Sequence, residues 1–207
     1  MTNSDYQSRF RRCGENMWAA PDAEIEHPER IEVGDEVRFG RGFTWLGAPQ
    51  TARIGSHVSF QPNCFIQGSP ERLVVADHVE FYLGSYLSCG DGEASFITIG
   101  RHSHFAPGCA LYGHGGLTIG DYCNVAAHCV LATVEHDPAR GDRPMAFTAR
   151  RGPIVLEDDV WLGANVTITP NTRVARGCVI GAGAVVTRDT APNGVYGGVP
   201  ARRLRDR

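Results

Sequence analysis

One stretch of the chain gathers side chains that could move a proton or meet an anion: VEHDPARGDRPMAFTARRGP, residues 134–153. Its histidine, His136, carries the side chain whose ordinary titration range spans neutral pH, as suits a general base acting on a hydroxyl or an amine. Glu135 and Asp137 flank it. Neighbours along an extended segment point to opposite sides, so neither is placed to orient the ring. A second group, His57, His78 and His102, recurs at one position of a repeat, and neutral imidazoles stacked at strand spacing can ligate an adventitious metal. A polar, turn-tolerant surface column is the simpler reading.

Other chemistries are disfavoured by what is missing. All 20 basic residues are Arg, and without lysine the Schiff-base, pyridoxal-phosphate and P-loop mechanisms lose their central group. The seven cysteines show none of the paired spacings of a zinc site or disulfide framework, so no metal is expected. At a net charge of -3, with no basic block, the 207-residue chain offers nothing to attract nucleic acid or an anionic membrane. The start, MTNSDYQSRFRRCG, is too polar for a signal peptide, and no apolar run is long enough to span a bilayer. A cytoplasmic protein is expected.

The elements that would hold His136 are written in a six-residue period. Large apolar residues recur in triplets: Val33, Phe39, Trp45; Ile54, Phe60, Ile66; Val75, Phe81, Leu87; Ile99, Phe105, Leu111; Ile119, Val125, Leu131; Leu156, Leu162, Ile168; Val174, Ile180, Val186. This period is neither the 3.6 of a helix nor simple alternation. Four residues after the first two members of each triplet stands a mostly small residue, among them Val37, Cys64, Ser103, Cys109, Cys129 and Cys178, with Phe43 the exception. The small residue precedes the next large one by two positions, so both point inward from one short strand. Gly, Asp, Asn, His and Pro fill the corners between. Each hexad is a short strand and a turn, and three close a triangular coil. Five of the seven cysteines fall in the inward small column, where a free thiol packs as a small hydrophobe and a reducing compartment suits it.

Successive triplets begin 21, 21, 24, 20, 37 and 18 residues apart, so beyond a plain coil they carry 3, 3, 6, 2, 19 and 0 extra residues, always after the third strand. Loops therefore decorate a single edge of the prism, and in a solenoid such an edge is often the binding face. The longest insertion belongs to the stretch 134–153 that carries His136. Residues 1–32 read as an N-terminal cap segment, 33–191 as the β-helix domain with its loop insertion at 137–153, and 192–207 as a short C-terminal tail.

The run PIVLEDDVWLGANVTITPNTRVARGCVIGAGAVVTRDTAPNGVYGGVPARRLR, preceded by HDPARGDR with Arg143 seven positions after His136, resembles the hexapeptide-repeat acyltransferases. Within that family it is most similar to the galactoside and maltose O-acetyltransferases. The resemblance covers residues 119–205; upstream only the repeat is shared. It implies an all-β fold, a left-handed parallel β-helix of about seven triangular coils, assembled as a homotrimer, with acetyl-CoA as acyl donor and a small-molecule acceptor, in particular a sugar hydroxyl. It further implies that His136 is the base, with the backbone amides near Gly163 and Ala164 as oxyanion donors. The thioester arm would lie along Ala164, Ala182 and Thr187, and Arg188, Arg202 and Arg205 would meet the phosphates with forked donors. Arg143 would contact the acceptor. Trp161 would either floor the acceptor pocket beside His136 or pack at the trimer interface.

The resemblance stops at the acceptor. The galactoside enzymes carry an Asn where this chain has Ala106, so a simple galactoside is not expected. An amine acceptor stays open, because the same base serves either nucleophile. Two readings from other classes compete: a metal enzyme resembling the γ-class carbonic anhydrases, and a non-catalytic scaffold. Against the first, the close pair His102 and His104 joins a corner to a strand; against the second stands the long insertion itself.

Overall fold

The computed structural model describes residues 6–137, 139, 143 and 148–207. The chain is a parallel β-helix of about eight triangular coils. The second strands of the coils form a ten-stranded sheet, parallel except at its last strand. The first and third strands belong to one 14-stranded sheet, because Phe65–Val75 and Tyr86–Ile99 run unbroken round the corner between them. Every large residue of the triplets is buried. Each contributes about 1.5–3 kcal/mol relative to exposure. In the middle coils the core is a ring ladder: Phe39, Phe60, Phe81 and Phe105 stack at centroid spacings of 5.5, 4.8 and 4.9 Å.

The structure adds a coil that the triplets did not reveal. Arg12–Cys13, Trp18–Ala19 and Glu24–Ile25 pair in parallel with the following coil, placing Cys13, Ala19 and Ile25 over Val33, Phe39 and Trp45. The six-residue frame persists, but two of its three positions hold small residues. Phe10 stacks on Phe39 at 6.2 Å, covering the ring that Ala19 leaves open. Tyr6 donates its hydroxyl to the carbonyl of Ala23. The segment expected as a cap thus supplies both a coil and the plug over it. At the other end Gly194–Gly197 extends the ten-stranded sheet, and Arg202–Asp206 turns back antiparallel with a charged, exposed edge. Such an edge resists further strand addition.

The small inward column also makes hydrogen bonds. The thiols of Cys64, Cys109, Cys123, Cys129 and Cys178 donate to corner carbonyls at 3.1–3.3 Å, Cys64 to Tyr82 and Cys129 to Gly163 for example. Ser103 does the same to Gly120 at 2.9 Å. A small donor at these positions satisfies backbone oxygens that would otherwise be orphaned in the core. Burial pushes the thiols of Cys64 and Cys123 up to about 11 and that of Cys89 to about 12, so they stay protonated and unreactive.

The corner between first and second strands repeats one turn. Glu36, His57, His78, His102, Tyr122 and Asp159 each stand there at φ between 55° and 60°. Beside them, carboxylates of successive coils bind the amides of the coil before: Asp77 takes Ser56, Asp121 takes Arg101 and Asp158 takes Asp121, at 2.8–2.9 Å. Among the described residues, no helix is long and apolar enough to cross a membrane.

Candidate active site

The long insertion leaves the edge between third and first strands as an antiparallel ribbon, Val134–Asp137 against Thr148–Arg151. Its root is fixed. Thr133 is fully buried, donates its hydroxyl to Tyr112 O at 2.7 Å and accepts from the amide of Gly115 at 3.0 Å, while its own carbonyl accepts from Gly152 at 2.9 Å. His136 stands three residues beyond this root, exposed, opposite Ala149. Glu135 turns to the other side and pairs with Arg150, whose Nε donates at 2.9 Å. The excursion therefore begins as regular strand at residue 134, three residues before the expected loop boundary. Arg143 is exposed. The rest of the expected loop segment, residues 138, 140–142 and 144–147, lies outside the described residues.

Gly163, Ala164 and Ala182 occupy a different edge, the corner after the second strand. Gly163 is there for space: a Cβ would come within 2.7 Å of the amide nitrogen of Ala182. Its amide already donates to Ile180 O at 2.8 Å as a rung between coils. The next amide differs. Ala164 accepts from Gly183 at 2.8 Å through its carbonyl, yet its N–H has no acceptor among the described residues. The same is true of Ala127 and Ala182, and the equivalent positions two and three coils before Ala164 are Pro107 and Leu83, with Pro62 one coil earlier still. The fold thus leaves one outward amide per coil at this corner, or needs none. Of the two expected donors, Ala164 is the one whose N–H has no acceptor among the described residues.

Thr187 and Arg188 follow the last third strand, exposed, at the same edge as the ribbon. Arg202 opens the antiparallel strand on the ten-stranded sheet, opposite Gly197, just after Ala201, whose amide donates to Val185 O at 2.8 Å. Arg205 is exposed opposite Val195 on the ten-stranded sheet. Trp161 sits outward on that sheet between Asn124 and Val179, 51% exposed. The ten-stranded face lies opposite the edge that carries His136. Trp161 therefore does not floor a pocket beside His136 of its own chain. Ala164 and His136 are likewise on different edges, separated by the third face.

The histidine column is stacked as the repeat requires. His57, His78 and His102 lie ring on ring at 4.6 and 4.7 Å with planes within 4° of parallel, and Tyr122 continues the stack at 4.9 Å. Imidazole lone pairs lie in the ring plane, so parallel rings hold them parallel and they do not converge on one ion. Among the described residues no three His, Cys, Asp or Glu side chains are grouped to hold a metal ion. The column fits the polar surface turn.

A further polar pair stands at the insertion edge, unanticipated from the chain. His114 Nε2 meets the hydroxyl of Ser88 at 3.0 Å, 26 residues apart in sequence. Burial, then the neighbouring Arg151, holds the His114 imidazole below its usual value, with Asp91 opposing. The signal available in the sequence was the run Gly113-His114-Gly115-Gly116 beside the longest insertion.

The profile of the family "Bacterial transferase hexapeptide (six repeats)" matches residues 153–188, the two coils that carry Gly163, Ala164, Ala182, Thr187 and Arg188. Galactoside O-acetyltransferase of Escherichia coli is 33% identical over 116 residues, covering 54% of this chain and 55% of that protein. Over residues 153–188 the chain carries the hexapeptide repeat of this transferase family, and over about half its length it is similar to an acetyltransferase. Another relative, a chloramphenicol acetyltransferase of Morganella morganii, is 28% identical over 56% of this chain and 66% of its own length. The chain spans about half to two thirds of the length of these two relatives. Among solved structures, a mutant of AntD, an N-acyltransferase from Bacillus cereus, in complex with dTDP-4-amino-4,6-dideoxyglucose and coenzyme A, superposes with a TM-score of 0.58 at 18% identity, over 100% of this chain and 90% of that one. The polySia-specific acetyltransferase NeuO superposes with a TM-score of 0.54 at 18% identity, over 94% and 75%. At such identities these two show that the hexapeptide-repeat fold is shared.

Proposed function

We propose that the chain is a CoA-dependent acyltransferase that moves an acetyl group from acetyl-CoA to a hydroxyl of a sugar or sugar-containing small molecule. The carrying observation is an exposed imidazole, His136, on a ribbon whose root is locked into the prism by Thr133. The acceptor hydroxyl gives its proton to His136 as its oxygen attacks the thioester carbonyl. The N–H of Ala164 receives the developing oxyanion. Collapse breaks the C–S bond, and the proton on His136 goes to the departing thiolate. Ala182 and Thr187 would line the path of the thioester arm, with Arg188, Arg202 and Arg205 meeting its phosphates and Arg143 reaching the acceptor.

His136 and Ala164 stand on different edges, so a site that uses both draws them from two copies of the chain. A homotrimer with threefold closure would set the His136 edge of one copy against the Ala164 edge of the next. The exposed aromatics Trp18, Tyr122 and Trp161, all on the ten-stranded sheet or its corner, support burial of that face between copies. All seven cysteines are free thiols, which supports a cytoplasmic setting.

The test is release of free CoA thiol from acetyl-CoA in the presence of neutral sugars, amino sugars and chloramphenicol, with wild type beside His136→Ala. Acceptor-dependent release that the substitution abolishes is expected. Release that survives it moves the base elsewhere, and silence with every acceptor removes the transferase reading.

A further inference from the structure

A cleft of about 350 Å³ lies on the insertion edge, one coil below the ribbon root, between Leu46, Gln67 and Ser88 on one wall and Ser69 and Asp91 on the other. Its floor is bare backbone. Gly47, Gly68 and Gly90 follow one another along the edge at φ of 106°, 109° and 75°. A Cβ on Gly47 would lie 2.3 Å from Gly68 O, one on Gly68 2.5 Å from Gly90 O, and one on Gly90 2.9 Å from the Cα of His114. No side chain fits on that floor, so the groove is kept open by the close stacking of coils. His114 closes the end nearest the ribbon, and the amide of its neighbour Gly115 is bound by Thr133, the residue that anchors the ribbon.

The walls are prepared to read hydroxyl groups. Gln67 is fixed by donating its Nε2 to Tyr86 at 2.6 Å. Asp91 is fixed by the amide of Ser69, which donates to its Oδ1 at 2.7 Å, and presents a carboxylate to the cleft. Ser88, 5% exposed, holds His114 through Nε2 at 3.0 Å. With the serine donating, the ring carries its proton on Nδ1, on the side of the Gly90 floor, where it is a donor to an incoming oxygen. The depressed basicity of His114 keeps the ring neutral near neutral pH, so it offers one donor without a charge. Donors and acceptors alternate along the walls, and Leu46 is the one large apolar side chain among them.

We propose that this cleft is the acceptor subsite, and that it selects a polyhydroxylated acceptor, neutral or amino-bearing, of about the size of a single sugar ring. The assignment rests on the acetyl-transfer reading above. The ring lies along the glycine floor, its hydroxyls are read by Gln67, Asp91 and His114, and a further hydroxyl is presented toward the ribbon that bears His136. The carboxylate of Asp91 turns away uronic acids and favours an ammonium group. A flat aromatic acceptor finds little apolar wall to bury against. His114 here is a positioning residue that acts on the acceptor's remote hydroxyls.

The test is steady-state kinetics of wild type, Asp91→Asn and His114→Gln with methyl α-D-glucopyranoside, D-glucosamine, D-glucuronate and chloramphenicol as acceptors, together with acetyl-CoA affinity by calorimetry. Asparagine preserves the acceptor for Ser69, so the fold is spared. Both variants are expected to raise KM for the neutral sugar about tenfold, with kcat within about threefold and acetyl-CoA affinity unchanged. Asp91→Asn should raise KM for glucosamine further and relax the exclusion of glucuronate. Unchanged KM values in variants of an enzyme that does acetylate these sugars overturn the subsite and leave the transfer reading standing. So does a preference for chloramphenicol. A wild type silent with every probe overturns the transfer reading, and the subsite falls with it.

Discussion

Two edges of the same prism are built on opposite plans. At the corner between first and second strands, coil after coil repeats one left-handed turn, with Glu36, His57, His78, His102, Tyr122 and Asp159 at nearly one φ and carboxylates binding the amides of the preceding coil. At the corner between third and first strands the chain does something different each time: it runs straight through in Phe65–Val75 and Tyr86–Ile99, opens a glycine-floored cleft, then leaves as a ribbon. Both edges sit on the same ladder of buried large residues. The regular edge settles its backbone hydrogen bonds by repetition and has little freedom to vary. The irregular edge is free to carry insertions because the core beneath it does not depend on them. Stability and chemistry are thereby assigned to different parts of one repeat.

If that division holds, substitutions at the two places separate cleanly. Replacing His136 by Ala should cut kcat by about 10²–10⁴-fold, the range of a lost general base, while Tm stays at the wild-type value. A large drop in Tm would show the ribbon to be structural. Phe81→Ala is the mirror case. It removes a buried ring stacked at 4.8 and 4.9 Å on its neighbours, and should lower stability by about 3–5 kcal/mol in denaturant titration, with kcat at low temperature nearly preserved. Ala164→Pro sharpens the comparison. It deletes the outward N–H at a corner where Pro62 and Pro107 already stand, so Tm should hold while kcat falls by about 10²–10³-fold.

The smallest effect is a pH dependence at the irregular edge. Burial and Arg151 hold the imidazole of folded His114 below the ordinary value, so the unfolded chain binds that proton more readily. This residue's support is complete above the unfolded value of about 6.5 and is lost as pH falls through it toward the folded value. Wild type should therefore lose more Tm between neutral pH and pH 5 than His114→Gln. An identical loss in both would mean that His114 titrates as it does in the unfolded chain.

The period of six was legible because each coil fixes one large residue per strand against the axis, and side-chain size alone reports it. The first coil escaped for the same reason: Cys13 and Ala19 are too small to mark the frame, and the filling comes from Phe10, outside it. At the candidate site, His136 could be read because it stands on the one insertion too long for a turn. That Gly163 already donates its amide, and that Ala164 does not, depends on which N–H points along the axis and which points out, a property the sequence does not spell. The Ser88–His114 pair was hidden by separation in the chain. Coil stacking brings together residues about twenty positions apart, and the irregular edge, where spacing varies, is where such pairs are hardest to foresee.

The most direct test asks whether the two edges meet between copies. His136→Ala and Ala164→Pro chains, each inactive alone, are co-expressed in equal amounts with separate tags, and the mixed assemblies are isolated and assayed for acetyl-CoA-dependent transfer. In a shared site each mixed trimer has one junction of three that pairs an intact His136 from one chain with an intact Ala164 from the other, so activity should return, to about a third of wild type in a closed threefold ring. Mixed assemblies no more active than either parent would contradict the account, because a site built across the edges of adjoining copies requires complementation.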